Sequence, residues 1–189
     1  MGASEVLRTI ERLAPEEGLP IIGPTKGAIL DELVRKHRPT AALEIGTLVG
    51  YSAIRIARLL PTGGRLTCVE LDPKLASAAR WNLERAGLAG RVRVIVGDAR
   101  EVLTELRDPV DFVLVDANKH QYIDYIRAFE PLLRAGSVVV ADNVKVFADQ
   151  VADYLAYVRN SGAYASSTVE APLNSDRSVT DAMEISIRL

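Results

Sequence analysis

Three short stretches of this chain carry side chains that could do chemistry together. Asp116 is followed three residues later by Lys119, and Asp142 is followed directly by Asn143. Both acids close apolar runs, Asp111 to Asp116 and Ser137 to Asp142, that read as buried parallel strands, so their side chains are expected at neighbouring strand tips. Two carboxylates and an amide are hard oxygen donors. They suit magnesium, which prefers oxygen, keeps coordination positions for water or substrate, and needs neither histidine nor thiolate. A lysine pointing back at such a cation finds its charged form disfavoured and becomes a candidate general base, the role expected of Lys119. The plainer readings are a solvated Lys119 and an Asx turn at Asp142-Asn143. The position of Lys119 beside Asp116 favours the chemical one.

A second group follows the earlier strands. The first strand, Ala41 to Gly46, runs into LEIGTLVGYS, where Gly46 and Gly50 permit a tight turn and close approach of a ligand to the backbone. Glu70 ends the second strand and can accept from ribose hydroxyls. A dinucleotide fingerprint reads GxGxxG, but Leu48 stands at its second glycine, so a pyrophosphate could not lie against this turn. S-adenosylmethionine carries no pyrophosphate and meets no such obstacle. Asp98 and Ala99, in the GDA after strand three, stand where an adenine edge would fall, with Asp98 accepting from the exocyclic amine. Singly, these are turn glycines, a solvated strand end and a helix cap. Together, at three successive strand ends, they favour a cofactor site.

The elements that must position these residues alternate as apolar runs and helical patterns at βαβ spacing. Leu30, Leu33, Val34 and His37 mark a helix that stops before Pro39, with His37 expected in the core. Ala53, Ile56, Ala57 and Leu60 mark the next. Strand two is Arg65 to Glu70, and Asp72-Pro73 caps a helix whose buried face is Leu75, Ala79 and Leu83 and whose stop is Gly87. Strand three is Arg91 to Val96, followed by a helix near Arg100 to Leu106. A further amphipathic helix is expected over Phe147, Val151, Tyr154, Leu155 and Val158. In the tail, Met183, Ile185, Ile187 and Leu189 alternate with Glu184, Ser186 and Arg188, which reads as a half-exposed antiparallel strand. Five parallel strands plus a terminal β-pair, in one α/β domain over 1–189, is the predicted architecture, with residues 1–20 as a short helical extension.

With 189 residues and a net charge of −2, the chain offers no global positive field for a nucleic-acid backbone. The only cysteine, Cys68, lies in an apolar run and excludes a disulfide within the chain. No signal-like or membrane-length segment is found, so a cytoplasmic protein is expected. His37 and His120 form no metal pair. Val6, Leu7, Ile10 and Leu13 of the opening segment are a candidate homodimer contact.

From about Pro20 to Arg188 the chain resembles the catechol and caffeoyl-coenzyme A O-methyltransferase family. The matching stretches are GPTKGAILDELV, ALEIGTLVGYSAIRIARLL, VELDP, VGDA, VDANKHQY and VVVADNV, in the family's order. The resemblance implies a Rossmann-like class I methyltransferase fold: a mixed seven-stranded sheet with helices on both faces and an antiparallel last strand. It implies S-adenosylmethionine as methyl donor, S-adenosylhomocysteine as product, and magnesium held by Asp116, Asp142 and Asn143, with Lys119 as base. Carried over by position, Glu70 binds ribose, Ser52 the methionine carboxylate with Ile22 contributing backbone nearby, Glu44 the turn at the methionine end, and Asp98 with Ala99 the adenine. Asp116 counts with cofactor and metal alike. The implied acceptor is a small phenolic molecule with vicinal hydroxyls. In the loops where animal catechol enzymes place an aromatic gate, this chain has Asn118 and Val146-Phe147, and their acidic contact to the second hydroxyl falls near Ser175-Asp176. Two other readings are a tRNA hydroxyuridine methyltransferase using Arg35, Lys36 and Arg38 or Arg91, Arg93 and Arg100, and a non-catalytic donor-binding protein. The retention of Lys119 with the three oxygen ligands argues against the last.

Overall fold

The computed structural model describes residues 2–189. Seven strands, β1 (Ala41–Ile45), β2 (Arg65–Glu70), β3 (Val92–Val96), β4 (Val110–Val115), β5 (Leu133–Ala141), β6 (Tyr164–Pro172) and β7 (Thr180–Arg188), form one sheet in the order β3-β2-β1-β4-β5-β7-β6. β1 to β5 pair in parallel, and β7 is antiparallel to both β5 and β6. The chain winds outward from β1 to β3 and returns on the other side at β4, so the order reverses between β1 and β4, where a doubly wound sheet opens a crevice.

Among the described residues seven α-helices cover the sheet: α1 (Ala3–Leu13), α2 (Gly23–His37), α3 (Tyr51–Ala57), α4 (Pro73–Arg85), α5 (Ala99–Glu105), α6 (Tyr122–Phe129) and α7 (Ala152–Asn160). Strand periodicity divides the core into two. Phe112 and Leu114 of β4 and Val138 and Val140 of β5 pack under α1 to α4, while Val113, Val115, Val139 and Ala141 pack under α5 to α7. Helix ends follow local chemistry. Asp72 accepts from the backbone N–H groups of Lys74 and Leu75 at 2.7 and 3.3 Å, with Pro73 opening α4. Gly87 takes the left-handed backbone (φ 73°) that ends it. Among the described residues no helix is long and apolar enough to cross a membrane.

Four expectations are corrected. Val6, Leu7 and Ile10 are buried and Leu13 is half-buried, because α1 lays its apolar stripe on α3 and α4; these side chains present no dimer face. β7 is an interior strand, buried on both faces: Glu184 and Ser186, expected to face solvent, are buried beneath α7. Phe147 lies in the turns before α7, and His37 is only half-buried.

Candidate active site

The carboxyl ends of β1 to β4 surround a cavity of about 590 Å³. Its floor is the turn after β1. Gly46 has φ 88°, and a Cβ there would sit 2.2 Å from the backbone oxygen of Asp116, so only glycine lets β1 and β4 run side by side into this turn. Glu70, at the tip of β2, braces the turn. Its Oε2 accepts from the Leu48 and Thr47 N–H groups at 2.8 and 3.2 Å, and its Oε1 from the Asp72 N–H at 3.0 Å. Those bonds hold Leu48 in the left-handed region (φ 50°), and leave Glu70 an acceptor aimed along the cavity wall.

Glu44 lies behind the turn with no exposed surface, and the Thr47 hydroxyl donates to its Oε2. Burial pushes its carboxyl up to about 7, with the Asp116 charge adding to the rise and hydrogen bonds from Ser52 and Thr47 opposing it. Asp98 caps α5 by accepting from the Arg100 N–H at 2.9 Å and also binds the Arg100 guanidinium at 2.7 Å, which holds it below the usual carboxylate range. The helix-cap reading of Asp98 therefore holds alongside its place in the cavity wall.

At the other end, Lys119 donates to Asp116 Oδ1 and to the Tyr122 hydroxyl, both at 2.8 Å, and its Nζ lies 6.0 Å from the centre of the Phe147 ring. Tyr122 in turn donates to the backbone oxygen of Asp142 at 3.1 Å, which ties the tips of β4 and β5 together. Asp142 is 1% exposed, and burial together with the charge of Asp116 pushes its carboxyl up to about 7. Lys26, in the first turn of α2, opposes that rise: its Nζ lies 2.5 Å from Asp142 Oδ1 and 2.5 Å from Asp181 Oδ2. Burial disfavours the Lys26 charge, but the two carboxylates outweigh it and raise its pKa. Burial also works against Asp181, yet donors from Lys26, the Asn143 amide (2.7 Å) and the Val146 N–H (3.0 Å) hold it low. Asn143 itself takes a left-handed backbone, φ 61°, rare for a residue with a side chain.

Ile22, Gly46, Ser52, Glu70, Asp98, Ala99, Asp116, Lys119 and Asn143 all line the cavity. Glu44 and Gly50 stand behind its wall, and Asp142 opens instead on a second cavity of about 430 Å³. That cavity is lined by Leu19, Val146, Leu173 and Asn174 among others, and shares Ile22, Asn143 and Phe147 with the first. Asp176 does not reach it: Ser175 lines the cavity, but the Asp176 carboxylate is exposed and accepts from the Ser178 hydroxyl at 2.6 Å, so the acid on the second cavity is Asp142. Among the described residues no cluster of three or more His, Cys, Asp or Glu side chains is arranged to hold a metal; the candidate donors are two carboxylates and an amide. Their chemistry suits a hard divalent cation: all three offer oxygen, and the Asp142 carboxyl, raised by burial and then by the Asp116 charge, would be relieved by positive charge nearby.

Lys26 and Asp181 escaped the sequence reading although each left a signal. Lys26 falls in phase with Leu30 and Val34 on the buried stripe of α2, and Asp181 in phase with Met183 and Ile185 on β7. A charge on an apolar stripe calls for a partner. Of the basic residues considered for a nucleic-acid face, Arg100 is in the cavity wall and pairs with Asp98, while others lie elsewhere. Arg35, Lys36 and Arg38 are at the far end of α2, roughly 15 Å along its axis from Lys26, and Arg91 is spent on the backbone oxygens of Ala57, Leu60 and Pro61.

Comparison with known proteins adds to this geometry. Residues 4–183 match the model of a family described as O-methyltransferase. Catechol O-methyltransferase of Mus musculus is 37% identical over 167 residues, covering 84% of this chain and 62% of the mouse protein. That of Niastella koreensis is 41% identical over 135 residues, covering 68% of this chain and 61% of the relative. The chain thus spans less than two thirds of the length of either. Among solved structures, the O-methyltransferase TomG from Streptomyces achromogenes, involved in tomaymycin synthesis and in complex with SAM, superposes with a TM-score of 0.87 at 28% identity, covering 97% of this chain and 89% of that one. An O-methyltransferase from Bacillus cereus in complex with SAH superposes with a TM-score of 0.86 at 28% identity, covering 98% and 91%.

Proposed function

Because the chain belongs to the O-methyltransferase family, we propose that it transfers the methyl group of S-adenosylmethionine to one hydroxyl of a small catechol-type acceptor, assisted by a divalent cation such as magnesium. The observation that carries this reading is the junction of the two cavities. A donor-sized space along β1 to β3 meets a mostly apolar second space at Asn143 and Phe147, with Lys119 and Asp116 at the same end. That is the arrangement an in-line transfer requires, with donor and acceptor entering from opposite sides.

In this reading Glu70 accepts from the ribose hydroxyls, and its hold on the Leu48 and Thr47 N–H groups keeps the turn in place beneath the donor. Ser52 and the backbone at Ile22 face the methionine carboxylate, and Asp98 with Ala99 faces the adenine. Asp116, Asp142 and Asn143 would hold the cation, which when bound polarises a chelated hydroxyl and stabilises the oxyanion. Lys119, in its amine form, takes the proton from the attacking hydroxyl, and Tyr122 and Asp116 hold its Nζ in place for that transfer. Phe147, with Val146 and Leu173, supplies apolar surface for a ring and excludes water from the reacting oxygen. The charged donor already has a good leaving group, so alignment and proton removal are what the chain must provide.

The test is transfer of labelled methyl from S-adenosylmethionine to caffeic acid, with magnesium and with excess chelator. Product that disappears with chelator, and falls about 10²- to 10⁴-fold in Lys119→Ala while donor binding persists, is the expected result. Product that is indifferent to both would overturn the roles given to the cation and to Lys119.

A further inference from the structure

The buried Lys26–Asp181 pair lies outside both cavities, yet it touches two of the three residues assigned to the cation. Lys26 Nζ occupies Asp142 Oδ1 at 2.5 Å. Asp181 accepts the Asn143 Nδ2 at 2.7 Å through the same Oδ2 that holds Lys26, while its Oδ1 accepts the Val146 N–H at 3.0 Å. The pair comes from opposite ends of the chain, α2 and β7, and both side chains are essentially inaccessible to water.

We propose that Lys26 and Asp181 are positioning residues for the cation, fixing which oxygens of Asp142 and Asn143 are presented to it. The argument is one of donors and acceptors. A carboxylate can only accept, so Asp181 must receive the nitrogen of the Asn143 amide; the amide oxygen is then the atom left to the cation. Lys26 likewise takes one oxygen of Asp142 and leaves the other. Asp181 also shares the Lys26 charge, which keeps that lysine from closing on Asp142 alone and displacing a cation. The left-handed backbone at Asn143 fits this account, since the Val146 N–H and the Asn143 amide converge on one carboxylate only if the chain turns sharply between them. Partners that orient metal ligands in this way typically control affinity by about 10- to 100-fold.

The inference rests on the cation site proposed above, and the experiment separates the two. Mn²⁺ binding is followed by loss of the free-ion EPR signal in the wild type and in Asp181→Asn, alongside calorimetric binding of S-adenosylmethionine without metal. An asparagine keeps one accepting oxygen and puts an NH₂ group at the other position, so either the Val146 N–H or the Lys26 ammonium with the Asn143 amide loses its acceptor, and the negative charge opposite Lys26 is lost in both cases. The expected result is an Mn²⁺ dissociation constant raised about 10- to 100-fold, donor affinity unchanged, and methyl transfer restored by added Mn²⁺. Equal Mn²⁺ affinity in the two proteins overturns the positioning role, as does a parallel loss of donor binding, which marks a general structural defect. Absence of Mn²⁺ binding in the wild type overturns the cation site, and this inference with it. If Asp181→Asn does not fold, Asp181→Glu keeps the charge, displaces the carboxylate by one methylene, and is judged by the same readings.

Discussion

Glu44 is one of two buried carboxyls, with Asp142, through which pH should reach the fold. Its carboxyl has no exposed surface, one oxygen has no hydrogen-bond partner, and burial raises it from its ordinary value near 4.5 to about 7. Between those values the unfolded chain has released the proton while the folded chain still holds it, so stability falls as pH rises. The contribution is intact below about pH 4.5 and is lost by the time pH passes 7, a change on the order of 3 kcal/mol. Urea unfolding of the wild type and Glu44→Gln, without donor or metal, from about pH 5 to about pH 8 tests it. The variant is expected to gain on the wild type across that window, and a constant difference would refute the assignment. At this same scale the sequence was uneven. The cap at Asp72 and the stop at Gly87 were legible because each acts within a few residues of its own helix end. Lys26 and Asp181 were not, because their pairing joins residues 155 apart in the chain.

Among the elements, β7 shows most clearly how packing can override a pattern. Its alternation of apolar and polar residues predicted one solvated face, yet α7 lies over that face and supplies partners for it. Arg159 donates to both oxygens of Glu184 at 2.7 and 2.8 Å, Thr168 adds a third donor at 2.6 Å, and Ser186 pairs with Ser166 at 2.9 Å. Burial works against the Glu184 charge, and these donors more than reverse it, holding the carboxyl below its ordinary value. The pairing comes from β6 and α7, so nothing within β7 itself announced it. Arg159→Ala leaves a buried carboxylate with a single hydroxyl donor and is expected to lower stability by about 2 kcal/mol, tempered by the partial exposure of Arg159. Equilibrium denaturation measures this, and a loss under about 0.5 kcal/mol would place α7 as a cover with no electrostatic share in the sheet. The parallel strands were easier to read, because residues 112–115 and 138–141 are apolar and buried on both faces and admit no other place than the middle of a covered sheet.

At the level of the whole molecule the two cores share their strands, alternate residues of β4 and β5 serving one face and then the other. Neither face can lose its packing while the other keeps it, so denaturation is expected in one transition followed alike by the Trp81 fluorescence and by circular dichroism. Donor at about one hundred times its dissociation constant should raise the stability of that single transition by about 2.7 kcal/mol. Two transitions, or a donor effect confined to one probe, would show the faces unfolding apart. The interior place of β7 also sets an order of assembly. Synthesis delivers β5 and then β6 before the strand that belongs between them exists, so a growing chain carries an open, apolar sheet edge until residues beyond 180 emerge and slide in. Asp181 arrives with that strand. The protein therefore completes its sheet and the support behind Asn143 in the same late step, and a ribosome that stalls before it leaves a chain that is both unsealed and without the carboxylate that holds Lys26 and the Asn143 amide.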